Sequence, residues 1–232
     1  MLKNGKKGDI VPLFLSGESV ARTKIEVKGF EAKHYDFLMN LITLGYYPRF
    51  IKSAINLLPL KDNSIILDAG AGSGRNSELM SKRIKNSKII CLDIGKEFLE
   101  SLSKKAEKNP QLFPLKASLK KPLPFKDNSF DLVFTCFVVH GFEHKERLFM
   151  INEFYRILKP NGYYCLIDYN DEIDLRKASL ITKIGFYFEC DLASEFITHN
   201  WENELTKIGF GNFTHHYFFG KKVRLTISKK EG

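Results

Sequence analysis

Between a short apolar run, Ile65-Ile66-Leu67, and a stretch of helical spacing from Arg75 to Ile84 lies the segment Asp68-Ala69-Gly70-Ala71-Gly72-Ser73-Gly74. Glycine at three alternate positions lets the backbone turn sharply and lets a ligand approach the main chain closely. A strand that runs through such a turn into a helix is a unit of parallel α/β sheets. Ligands of doubly wound sheets bind at the carboxyl ends of the strands, where Asp68 stands.

The rest of the chain repeats that unit. Lys88 to Leu92 reads as a strand ending at Asp93, and Lys96 to Lys108 as a helix. Gln111 to Lys116 and Phe130 to Val138 read as the third and fourth strands, and Tyr163 to Asp168 as the fifth. Between the last two, Lys145 to Leu158 is an amphipathic helix that Pro160 is expected to stop. Nearly continuous apolar strands alternating with helices predict a parallel, doubly wound sheet. Near the end, Trp201 to Ile208 reads as a helix capped by Gly209, followed by strands over Asn212–Phe219 and Lys222–Ser228. Upstream, apolar residues at helical spacing from Glu31 to Leu58 predict two helices, broken by Gly45 and Pro48. Residues 1–30 form an N-terminal arm, and residues 31–232 one domain, with about 170–199 inserted after the fifth strand as a cap. That insertion opens with Asp171, Glu172 and Asp174 and continues with an apolar set from Leu175 to Phe188.

The net charge is +9, and its placement matters more than its size. Residues 1–30 carry +3 and residues 221–232 carry +4, leaving +2 for everything between. Basic ends suit contact with RNA or an anionic membrane surface, or serve as solvated tails that aid solubility; the last reading is preferred. The 11-residue uncharged run Leu132–Phe142 is too short to span a bilayer as a helix. No apolar stretch of the signal-peptide kind follows the first charges, so a cytoplasmic location is expected. Cys91, Cys136 and Cys165 sit in separate apolar runs, as reduced core thiols would, with no CxxC pair among the cysteines.

What the glycine turn holds follows by elimination. A dinucleotide fingerprint beginning at Gly70 needs a glycine at 75, where the chain has Arg75, and the Gly-Lys-Ser/Thr of a phosphate loop is missing nearby. A turn headed by the Asp68 carboxylate suits a cofactor with a cationic amino group and no phosphate. S-adenosylmethionine fits. Asp93 lies 19 residues beyond Gly74, at the end of the second strand, where a carboxylate can accept both ribose hydroxyls.

Residues 65–169 resemble the core of class I S-adenosylmethionine-dependent methyltransferases. The likeness is carried by Ile65-Ile-Leu-Asp-Ala-Gly-Ala-Gly-Ser-Gly, Cys91-Leu-Asp-Ile, Leu123-Pro-Phe-Lys-Asp-Asn-Ser-Phe-Asp-Leu-Val and Arg156-Ile-Leu-Lys-Pro-Asn-Gly. It implies a Rossmann-like sheet of seven strands with the last antiparallel. Asp68, Ala69, Gly70, Gly72 and Gly74 would then meet the methionine part of the cofactor, Asp93 its ribose and Ile94 its adenine. Ser118 and Leu119 stand where the family usually brings an acid to the adenine amino group, and Cys136 completes the expected cofactor contacts. The segment from Ala32 to Lys52 is similar to the opening helices of the methyltransferases that C-methylate menaquinone and ubiquinone precursors, with Thr43, Gly45, Tyr47 and Phe50 at the comparable places.

For the chemistry itself, His140 follows the fourth strand and so reaches the crevice as a candidate general base; its other reading is a cap on a loop or helix start. Tyr35 and Asp36 are expected either to close over the cofactor or to lie on a helix face. His144 reads as a solvated helix start. His215 and His216 point to opposite sides of a strand, and no metal site is visible. The acceptor expected is a small, partly apolar molecule such as a quinone or phenol precursor. RNA anchored by the basic ends is the alternative, and a cofactor-sensing protein without transfer a third.

Overall fold

The computed structural model describes residues 46–173 and 191–232. Tyr35, Asp36 and the first of the two N-terminal helices lie outside the described residues, as do positions 174–190 of the expected cap.

Helix α1, the second of the two expected, spans Tyr46–Leu57 and takes Pro48 into its first turn. Proline there has no effect on the ladder, because the first backbone N–H groups of a helix have no partner inside it. The core units follow as β1 (Ile65–Ala69), α2 (Arg75–Ser81), β2 (Lys88–Asp93), α3 (Lys96–Ala106), β3 (Leu112–Lys116) and β4 (Phe130–Cys136). After a 3-10 turn at Val139–Gly141 come α4 (His144–Ile157), β5 (Leu158–Tyr169), α5 (Asp191–Phe196), α6 (Trp201–Ile208), β6 (Phe210–Phe218) and β7 (Val223–Lys230). Pro160 does not separate α4 from its strand. The chain enters β5 directly at Leu158 and absorbs Pro160 and Asn161 as an irregularity in the β4 pairing.

The seven strands lie in the order β3-β2-β1-β4-β5-β7-β6. β1 to β5 pair in parallel, while β7 runs antiparallel between β5 and β6, as the resemblance implied. Alternate residues serve opposite faces. Leu67 and Val133 join a cluster with Met150, Phe154, Trp201 and Phe210. Ile66, Leu132 and Phe134 join another with Ile51, Ile55, Met80 and Leu102. Helices therefore cover both faces of the sheet, and its strands are buried on both sides. The strand order reverses between β1 and β4, which opens a crevice at their carboxyl ends.

The basic C-terminus is built into this sheet and is not a loose tail. Arg224 pairs at 2.6 Å with the buried carboxylate of Asp171. Lys230 donates to the carbonyls of Tyr155 and Leu158, both at 2.8 Å. Among the described residues no helix is long and apolar enough to cross a membrane.

Candidate active site

The crevice holds a cavity of about 240 Å³. The glycine turn after β1 forms one wall and the turn after β4 the other. The two press together at Gly70, where a side chain would place its Cβ 2.5 Å from Val138, while at Gly74 it would come 2.4 Å from Leu102 of α3. Gly70, Gly72 and Gly74 all have positive φ, and only Gly72 faces open space. The turn is tied to β2 by Gly70 N–H and Ala71 N–H, both donating to the Leu92 carbonyl.

Asp93 fixes the far wall. Its Oδ2 accepts the Gly72 N–H and its Oδ1 the N–H groups of Ile94 and Gly95, all at 2.8 Å. Ile94, 40% exposed at the rim, is an apolar surface without cover, and Ser118, Leu119 and Cys136 line the same cavity. A flat apolar base beside a carboxylate and an open peptide backbone is what this wall fits, so the donor set suits S-adenosylmethionine. Burial pushes the Cys136 thiol well above its ordinary range, which makes it a packing residue and not a nucleophile.

Asp68, Ala69 and Gly74 stand behind the turn and do not line the cavity. Asp68 is buried and accepts the Ser77 hydroxyl at 2.5 Å. Desolvation raises its carboxyl to about 7, against the Ser77 hydrogen bond, which lowers it. An unfolded aspartate ionises near 3.8. Between these values the folded state binds the extra proton, so ionising Asp68 erodes stability as pH rises from about 4 to 7, by on the order of a few kcal/mol. Asp68→Asn keeps an acceptor for Ser77. In urea unfolding at a series of pH values, wild type should lose ground to this variant across that window and hold a constant difference above it. Parallel curves would overturn the assignment.

His140, in the 3-10 turn after β4, lines the cavity, and its Nδ1 lies 2.7 Å from Asp168 Oδ1. Asp168, almost fully buried at the end of β5, also accepts the backbone N–H of His140 at 3.2 Å and of Tyr169 at 2.9 Å. This partner was missed from sequence, although Asp168 ends a strand just as Asp93 does. Beside the dyad runs a chain of aromatic rings. His140 meets Tyr169 at 5.0 Å, Tyr169 meets Phe137 at 5.8 Å, and Phe137 meets Phe50 at 6.2 Å. Phe137 holds φ at 53°, a left-handed conformation that costs a bulky residue roughly 1–3 kcal/mol and is kept where the surroundings demand it. Arg75 and Asn76 also face the cavity, Arg75 over the Tyr47 ring at 5.4 Å.

His144 is not a solvated helix start. Its ring stacks on His199 at 4.0 Å, and desolvation together with His199 pushes its pKa down. His215 and His216 remain on opposite faces, with His215 Nε2 2.7 Å from Glu202.

Residues 67–166 match the family model of a methyltransferase domain. The ubiquinone/menaquinone biosynthesis C-methyltransferase of Neisseria meningitidis serogroup C is 28% identical over 140 residues, which are 60% of this chain and 56% of that protein. The chain thus spans a little over half the length of the first curated relatives it matches. Its counterpart in Legionella pneumophila strain Corby is 26% identical over 223 residues, covering 86% of this chain and 87% of that one. The solved structure of a SAM-dependent methyltransferase from Aquifex aeolicus superposes with a TM-score of 0.58 at 22% identity, over 78% of this chain and 89% of that one. With the sheet order, the glycine turn and Asp93 in place, residues 67–166 carry a methyltransferase domain of the class I, S-adenosylmethionine-dependent kind, and the chain is similar to the quinone-biosynthesis C-methyltransferases.

Proposed function

We propose that the protein methylates a small, partly apolar aromatic acceptor of the quinol or phenol class, with His140 as the base that removes its proton. The observation that carries this reading is the His140–Asp168 pair at the cavity, set beside the aromatic run Tyr169–Phe137–Phe50. The cofactor supplies an electrophilic methyl group on a sulfonium. Gly70 to Gly72 and Asp93 would hold it, with Ile94, Ser118, Leu119 and Cys136 around the adenine end. The protein's contribution to an in-line displacement is mostly orientation. A planar acceptor laid along the aromatic rings presents its hydroxyl to His140. Asp168 accepts the Nδ1 proton, so Nε2 is the nitrogen that takes the acceptor's proton. Removing it raises the electron density of the oxygen and of the ring carbons beside it, which makes either the nucleophile. The expected domain limits, an arm over 1–30 and a methyltransferase domain over 31–232, belong to this proposal.

Two measurements test it. Titration calorimetry with S-adenosylmethionine should show Asp93→Ala binding about 10- to 100-fold more weakly, the effect of losing hydrogen bonds to a charged group; unchanged affinity overturns the ribose assignment. A methyl-transfer assay against short-chain quinols and against total RNA addresses the acceptor. Transfer to quinols that persists in moderate salt is expected. Transfer to RNA alone, weakening steeply with salt, would overturn the reading.

A further inference from the structure

We propose that His144, Glu195 and His199 bind a divalent metal ion of borderline softness, zinc foremost, at a site separate from the cofactor cavity. His144 opens α4, while Glu195 and His199 stand one helical turn apart at the end of α5 and just beyond it. One ligand atom from each residue falls within a set whose members all lie within 4.8 Å of one another. Two imidazoles and one carboxylate are a donor set that zinc accepts, with a fourth position for water.

A second observation singles out this cluster. His144 Nδ1 is sealed from solvent and has no hydrogen-bond partner among the described residues. A buried polar atom without a partner is costly, and a bound ion is one of the few things that explains it. Beside it, His199 Nε2 and Glu195 Oε1 lie 2.5 Å apart. A metal entering there replaces the proton between these two atoms, and that proton leaves to solvent. The stacked rings must turn out of their 12° alignment to bring both nitrogens to about 2.0–2.1 Å from one ion. The surrounding charge is balanced. Arg147 sits on the other oxygen of Glu195 at 2.5 Å, and the Glu204 carboxylate interacts electrostatically with both histidines while held by Lys207 at 2.8 Å. A bound ion would clip the start of α4 to the α5–α6 connection. It lies outside the methyl-transfer reading and stands whether or not that reading holds.

The test uses the whole chain, stripped with EDTA and dialysed, then titrated calorimetrically with zinc chloride. One saturable site is expected, weakened at least tenfold in His144→Gln and in His199→Gln, with His215→Asn/His216→Asn unaffected. Zinc should raise the thermal midpoint of wild type, and magnesium should not. Absence of saturable binding, or wild-type affinity in both Gln variants, overturns the proposal. If a Gln variant does not fold, cobalt decides on wild type. Visible bands without thiolate charge transfer support a nitrogen and oxygen site, whereas thiolate bands would assign the ion to cysteines and overturn it.

Discussion

His140→Ala should lower kcat about 100- to 10,000-fold while leaving S-adenosylmethionine affinity within a few-fold of wild type, the range a positioned general base contributes. The separation follows from geometry. Most of the proposed cofactor contacts come from the turn after β1, the end of β2 and the loop after β3, with Cys136 ending β4, whereas His140 comes from the turn beyond it. Asp168→Asn should lower kcat in the same direction. Asp168 receives three donors: the His140 backbone, the His140 ring and the Tyr169 backbone. An asparagine whose oxygen keeps the His140 N–H, which Oδ2 accepts, turns its NH₂ toward Nδ1 and gives up the Tyr169 N–H, which favours the tautomer with the proton on Nε2 and removes the base. The two variants should not be additive, because each disables the same proton transfer. Stopped-turnover assays with a quinol acceptor, alongside calorimetric cofactor titrations, check both. Wild-type kcat in His140→Ala would show that the histidine only shapes its turn.

How far the sequence reached depends on the range of each interaction. The β1–turn–α2 unit was legible because its signals are contiguous: an apolar strand, alternate glycines and a helical period. The buried stretches of β1 to β5 followed because each holds a short apolar run bounded by turn residues. Features that depend on partners far along the chain were not legible. Asp68 was expected among the cofactor contacts, yet strand alternation turns it inward to Ser77. Asp168 lies 28 residues from His140, and only the β4·β5 pairing brings them together. His144 and His199 are 55 residues apart and meet through the packing of α4 against the α5–α6 connection. Pro48 and Pro160 marked helix boundaries only to within a few residues: Pro48 falls in the first turn of α1, and α4 ends ahead of Pro160. Proline disrupts a helix interior, but the first turn of α1 and the irregular start of β5 need no N–H there.

Loss of Arg147 should cost much stability. Its side chain is fully buried on α4, and its guanidinium spends its donors on four acceptors. Nε donates to the Val139 carbonyl at 3.2 Å, and Nη2 to those of His140 at 3.0 Å and Leu192 at 2.8 Å. Nη1 meets the Glu195 carboxylate at 2.5 Å. The plane of the group also lies over Phe196 at 5.2 Å and Trp201 at 5.7 Å. Arg147→Met keeps much of the volume but leaves three buried carbonyls and a carboxylate without their donor. The Glu195 carboxylate is 38% exposed and can turn to water, but each carbonyl left without a donor costs about 1–3 kcal/mol, which for a chain of this size lowers the thermal midpoint by about 10 °C or more in total. Arg147→Lys retains the charge but not the planar fork, so it should recover only part of that loss. The consequence reaches the active site, because two of the four acceptors belong to the turn that carries His140. Well below its unfolding transition, the Lys variant should therefore show reduced kcat with cofactor affinity unchanged. A Met variant that unfolds within about 1 kcal/mol of wild type in urea would refute the assignment, since surface substitutions ordinarily fall within that range.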